Sequence, residues 1–269
     1  MKKLIAKTAL VSMLISSAQA GAIVDIEVGG GIWATGAPTG SMTAKGSVID
    51  FADTTDLGSA SNSYIWAVID HAIPVIPNIR VERTTLKSTG QKDSTFNIPN
   101  VITATGTLDT ELDLTHTDFI AYWGLPFGTW LPFIDELDFG LGAKVFDGSI
   151  DMAVSASGIV LDSYKESLPF AVPYGYAKLR IEPPLLFGIG FEGELKYLSL
   201  EAGSFKSNFT EYIVKADWGM MFPLPILDIK PGIEIGYRNM SLDIDAGSAG
   251  EADVGFSGIF FGLYGKFGI

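Results

Sequence analysis

The chain has 269 residues, a formal charge of −13, 31 glycines and no cysteine. The missing cysteines exclude a disulfide framework, a thiolate metal site, a cysteine nucleophile and a lipid-bearing cysteine, and so acidic a chain should repel the phosphates of nucleic acid. Apolar residues make up 47% of the sequence and charged residues only 18%, against a usual share of about a quarter, so a large apolar surface has to face something other than water.

Residues 1–20 have the grammar of a secretory leader: Lys2, Lys3 and Lys7, an apolar run over 9–15, and the small-x-small ending Ala18, Gln19, Ala20. Cleavage before Gly21 leaves 21–269 as one domain and, by removing the three lysines, takes the charge from −13 to −16. The alternative is an uncleaved anchor. That needs about 18 apolar residues, and Ser12, Ser16 and Ser17 interrupt the run. No comparable stretch recurs after Gly21, so helical spans are not expected.

Further along, apolar residues recur with a period of two, the period at which a strand sends side chains to opposite faces. The first strand, 22–33, sets Val24, Ile26, Val28, Gly30 and Ile32 against Asp25, Glu27, Gly29, Gly31 and Trp33. Strands are then predicted over 62–71, 79–87, 107–124, 137–147, 172–182, 186–198, 208–221, 229–241 and 255–269. Within 172–182, Tyr174, Tyr176, Lys178 and Arg180 alternate with Gly175, Ala177, Leu179 and Ile181. Four connections, 73–78 (I-P-V-I-P-N), 125–133, 182–186 and 222–227, are short, apolar and proline-bearing, unlike the polar turns of soluble proteins. The others, 35–61, 88–106, 148–166, 200–207 and 243–253, are long and polar. Short and long connections in strict alternation predict an all-β, ten-stranded antiparallel transmembrane up-and-down β-barrel with long extracellular loops and short Pro-rich periplasmic turns. Trp123, Phe127, Trp130, Phe133, Phe187, Trp218, Phe222 and Phe267 fall beside the short turns, where an interfacial aromatic girdle belongs. A soluble two-sheet sandwich is the alternative fold, since it too alternates.

The segments H-A-I-P-V-I-P-N-I-R from His71, L-D-L-T-H-T-D from Leu112, the pair Tyr237 and Arg238, and D-V-G-F-S-G from Asp253 resemble an uncharacterised proteobacterial family of small outer-membrane β-barrel proteins. The likeness covers most of 21–269. It implies an outer-membrane location, lipid and lipopolysaccharide contacts and a barrel-assembly machinery as partner, and it carries no active site. The ending Phe267, Gly268, Ile269 departs from the terminal aromatic common in such strands.

On this register Asp25, Glu27, Asp70, Glu82, Asp138, Glu182, Glu192, Glu194, Glu211, Asp217 and Glu234 point inward with Arg80, Lys144, Lys178, Arg180, Lys196, Lys215, Lys230, Arg238 and Lys266. Near balance predicts an ion-pair network, because a lone buried charge is costly and a paired one much less so. The candidate network is Glu27, Arg80, Glu82, Lys144, Lys178, Arg180, Glu192, Glu194, Lys196, Lys215, Glu234, Arg238 and Lys266. A ten-stranded lumen is little wider than its side chains, so a closed interior with a structural or surface-interaction role is expected of a monomer. Two alternatives stand beside it: a narrow pore for ions or small solutes, and a membrane hydrolase using His116 and Asp118. No serine signature accompanies His116, and His71 abuts a proline turn whose carbonyls an imidazole can bond, so no catalytic residue is assigned. Asp109, Glu111 and Asp113, and Asp243, Asp245, Glu251 and Asp253, form acidic groups without a Ca²⁺-loop pattern. No metal ligand and no cofactor are assigned.

Overall fold

The computed structural model describes residues 24–73, 75–125, 134–186, 188–219, 222–223, 228–245, 247 and 250–268. The expected leader, most of the 125–133 and 222–227 turns, and the side chains of Phe127, Trp130, Phe133, Phe187 and Phe222 lie outside the described residues.

Fifteen strands account for nearly all of the described chain: β1 (Val24–Thr35), β2 (Thr39–Ala44), β3 (Ser47–Asp50), β4 (Ala60–His71), β5 (Asn78–Thr84), β6 (Lys87–Ile98), β7 (Ile102–Asp113), β8 (His116–Gly124), β9 (Ile134–Ala156), β10 (Ile159–Ile181), β11 (Ile189–Ala202), β12 (Phe205–Gly219), β13 (Phe222–Pro223), β14 (Asp228–Asp245) and β15 (Glu251–Gly268). Ten of them close into an antiparallel ring in the order β1, β4, β5, β8, β9, β10, β11, β12, β14, β15 and back to β1. Closure removes the free edges that a flat sheet would leave. The ring strands correspond to the ten segments expected from alternation.

Two expectations need correction. The segment 107–124 is two strands rather than one, because the Asp113 carboxylate accepts the Thr115 backbone N–H at 2.8 Å and turns the chain there. β8 then stays in the ring, while β7 pairs with β6 and with the upper part of β9. The connections expected as long loops are largely strand: 35–61 holds the β2–β3 hairpin, 88–106 most of β6, and 148–166 the upper halves of β9 and β10. These two strands run 23 residues each. They meet at Ser157 (φ 52°) and Gly158 (φ 78°), the paired left-handed conformations of a tight two-residue hairpin turn. Thr, Ser and Asp on one face made these segments look loop-like, although Ile150, Met152 and Val154 alternate with them and are buried.

One end of the ring carries the short connections and the other the β2–β3, β6–β7 and β9–β10 hairpins. In the short-turn half the exterior is apolar: Ile65, Ile69, Phe119, Leu141, Leu179, Leu195, Val214, Ile235, Ile259 and Leu263 all lie exposed on the outer face. In the hairpin half the arrangement reverses. Leu86, Leu108, Leu112, Phe146, Ile150, Met152, Phe209, Met240, Leu242, Val254 and Phe256 form a buried core, and Ser149, Asp151, Ser199, Asn208, Asp243 and Asp253 face out. On β9 and β14 the two faces switch within the same few residues. On β9 the inward Lys144 gives way to Phe146 as the outward Val145 gives way to Asp147; on β14 Arg238 gives way to Met240 as Tyr237 gives way to Asn239.

Candidate functional site

Inside the short-turn half, small residues on some strands make room for large side chains on others. A side chain at Gly29 would strike the Trp66 ring, one at Gly142 the Tyr174 ring, and one at Gly232 the Tyr264 ring. The large residues reach across the lumen instead of along it. Arg80 on β5 bonds Glu194 on β11 at 2.9 Å, and Arg238 on β14 bonds Glu82 on β5 at 2.8 Å, each spanning four steps of the ring.

The innermost charges form one connected group. Asp118 meets Lys144 at 2.6 Å and Lys196 at 3.4 Å; Glu211 meets Lys144, Lys196 and Arg238 at 2.9 Å each; Arg238 meets Glu82; and Arg80 joins Glu82 and Glu194 at 2.8 and 2.9 Å. Four carboxylates thus face four cations, and every one of the eight is buried. Tyr174 adds a hydroxyl that donates to Asp118 at 2.6 Å. Equal numbers matter here because an uncompensated buried charge costs several kcal/mol, about 3–5 when one partner is removed.

Toward the short-turn end the groups become more open. Lys215 bridges Glu192 and Glu234 at 2.9 and 3.1 Å, and Lys178 bridges Glu136 and Asp138 at 2.5 and 2.7 Å. Arg180 meets Asp217 at 2.5 Å and Asp135 at 3.2 Å, and Lys266 meets Glu27 at 2.7 Å. They border a polar cavity of about 410 Å³. A second cavity of about 20 Å³, room for about one water, shares Trp66, Arg80, Lys215 and Glu234 with the first and is walled by Trp33, Ile213 and Phe260. Beyond these side chains lies the apolar core of the hairpin half.

All thirteen residues of the expected network, from Glu27 to Lys266, face this interior and make ion pairs. Asp118, Asp135 and Glu136 also take part and were missed. Glu211, expected to face inward but outside the thirteen, holds three cations. Asp138 and Glu136 share a parity on β9, so that signal was present in the alternation. The hydrolase alternative pairs Asp118 with His116. That pairing is absent: His116 Nδ1 lies 2.8 Å from the Leu114 carbonyl, which assigns the proton to Nδ1, and Nε2 stands 3.8 Å from Asp118 without a hydrogen bond. The ring is fully buried against Phe146. His116, Asp118 and Glu211 place ligand atoms within 4.8 Å of one another, yet the Lys144 ammonium occupies the position a cation would take between the two carboxylates, so these residues do not fit a resident ion. His71 lies at its turn, with Nε2 3.3 Å from the Pro77 carbonyl and Nδ1 accepting the Ile73 N–H.

On the outer face, Trp123 and Trp218 are exposed at the short-turn end, the described members of the expected girdle along with Phe267. No protein-family model matches the chain, and no curated protein matches it.

Proposed function

We propose that the chain is a transmembrane β-barrel of a bacterial outer membrane, monomeric, with a closed lumen and a structural or surface-contact role. The simultaneous switch of both faces carries this reading. An exterior of Ile, Leu, Val and Phe around the whole ring is far larger than the apolar patches that soluble monomers expose, and it surrounds an interior of salt bridges. On β9 the outward apolar run from Leu137 to Val145 is nine residues, and a tilted strand needs about 9–11 to cross a bilayer. Lipid satisfies the outer face, and the polar collar above it suits lipopolysaccharide headgroups and water. The leader-like pattern of residues 1–20 and the resemblance noted above fit the same location.

Cell fractionation with gel mobility before and after boiling tests the membrane part: a heat-modifiable band in the outer-membrane fraction is expected, and release into the aqueous fraction without detergent overturns it. The 410 Å³ cavity favours one rival, a narrow pore. Planar bilayers separate the two, because a closed lumen gives no conductance and steady single-channel currents establish the pore.

A further inference from the structure

The smaller of the two interior cavities, about 20 Å³, is walled from several sides of the ring: Trp33 stands on β1, Arg80 on β5, Glu194 on β11 and Arg238 on β14. Among the described residues, nine buried side-chain polar atoms lack a hydrogen-bond partner. Three of these, Asp138 Oδ2, Glu192 Oε1 and Glu211 Oε2, are carboxylate oxygens that already lie 2.7–2.9 Å from a lysine ammonium. Of the other six, four belong to residues that line this one void: Trp33 Nε1, Arg80 Nε, Arg238 Nε and Glu194 Oε2. All four side chains are more than nine-tenths buried. Buried polar atoms are rarely left without a partner, so four of them around one void point to an occupant.

The surrounding bonds explain why these atoms are left over. Both Nη groups of each arginine are committed, those of Arg80 to Glu194 and Glu82 and those of Arg238 to Glu82, Thr84 and Glu211. The Arg238 guanidinium sits over the Trp33 ring at 4.8 Å and that of Arg80 over the Trp66 ring at 5.3 Å, contacts that hold both Nε groups beside the aromatic wall. Glu234 is no outlet for the surplus donors. Its Oε1 already accepts from the Tyr64 hydroxyl at 2.8 Å and the Trp66 indole at 3.4 Å, and its Oε2 from Lys215 at 3.1 Å.

We propose that this void binds one resident water molecule, which accepts from two of the three N–H groups and donates to Glu194 Oε2. The volume suits about one water, and donors with an acceptor among them supply the roughly two to four polar partners that a buried water needs. A halide would suit the three donors by themselves. It would also bring an unmatched charge, because Arg80, Lys215 and Arg238 around the void are already balanced by Glu82, Glu194 and Glu234, and an uncompensated buried charge is costly. Trp66, Arg80, Lys215 and Glu234 line both cavities, so the water exchanges through the larger one and the wet part of the lumen ends against Trp33. The site is made of interior residues and stands whether lipid or water surrounds the ring.

The test uses the full-length protein in detergent. Crystals grown with bromide in place of chloride should show in the void a density peak of a water's weight, without anomalous bromine signal, within hydrogen-bonding distance of Trp33 Nε1 and of Arg80 or Arg238 Nε. In solution, protein isotopically labelled at its indole nitrogens should show through-space transfer from a long-lived water to the Trp33 Nε1–H, a signal assigned by its loss in Trp33→Phe. Ile213 also lines the void, and the larger ring of Ile213→Phe should fill it and abolish the transfer, while the signal of Trp218, exposed on the outer face, reports that the variant is folded. A void without density, bromine at the site, no transfer in wild type, or undiminished transfer in folded Ile213→Phe overturns the proposal. Should Ile213→Phe not fold, the two wild-type measurements decide.

Discussion

Along β14 the inward residues pass from Glu234 and Arg238 to Met240 and Leu242, while the outward ones pass from Ile235 and Tyr237 to Asn239, Ser241 and Asp243. One strand, with unbroken pairing on both sides, is built inside-out below and in the manner of a soluble protein above. The backbone is indifferent to the change, since its hydrogen bonds are the same in both halves. What differs is which side chains each face carries. In the short-turn half four buried carboxylates are matched by four buried cations; in the hairpin half the interior is apolar.

The largest effects should come from the two interiors. Glu211→Gln leaves Lys144, Lys196 and Arg238 short of an anion and should cost about 3–5 kcal/mol, read from denaturant midpoints in detergent. Phe256→Ala in the hairpin half should cost a similar amount, about 3–5 kcal/mol, through a cavity. A Glu211→Gln variant as stable as wild type would break the claim that charge matching holds the lower interior.

The outer faces give the next, and sharpest, contrast. Leu141→Arg, in the belt, should cost about 2–4 kcal/mol if lipid covers it, whereas Ser149→Arg, on the same strand and face but above the rim, should stay within about 0.5 kcal/mol. Equal, small effects at both positions would place the belt in water.

The smallest effect concerns the base of the β6–β7 hairpin, where Lys87 meets Glu111 at 2.8 Å and Asp113 at 3.0 Å. Burial alone would raise the Asp113 carboxyl, but the hydrogen bonds from Thr115 and Lys87 outweigh it and hold it below the ordinary carboxylate range. Lys87 is held above the ordinary lysine range by its bonds to Glu111 and Asp113. A depressed carboxyl contributes stability above its unfolded value and loses it as pH falls through the folded one; the raised lysine contributes below its unfolded value and loses it as pH rises through the folded one. The opening free energy of β6 and β7, read from amide exchange corrected for its intrinsic pH dependence, should therefore be highest between these limits and fall on strong acidification, while that of β14 changes less. Lys87 is about half exposed, so Lys87→Ala should cost no more than about 1 kcal/mol.

Much of the fold was legible because a period of two survives any detail of packing. Val24 to Trp33 already separated an apolar face from an acidic, glycine-rich one, and the parity of Lys178, Arg180, Glu192, Glu194 and Lys196 placed them inside. The break at Leu114 and Thr115 was not legible, since an aspartate bonding the backbone two residues on leaves the alternation intact. Nor were the tall hairpins: Ser149, Asp151 and Ser155 read as loop, and only pairing with β7 and β10 shows them to be the wet face of a sheet.

Alternation and the placement of prolines were thus determined by the sequence alone, because each depends on local geometry. Which carboxylate meets which cation, and the height at which the two faces exchange character, depend on ring closure and on the relative shift of neighbouring strands. Asp118, Lys144, Lys196 and Glu211 stand on four different strands; only the tertiary structure brings them within hydrogen-bonding range, and only there does the charge of one cancel the cost of burying another.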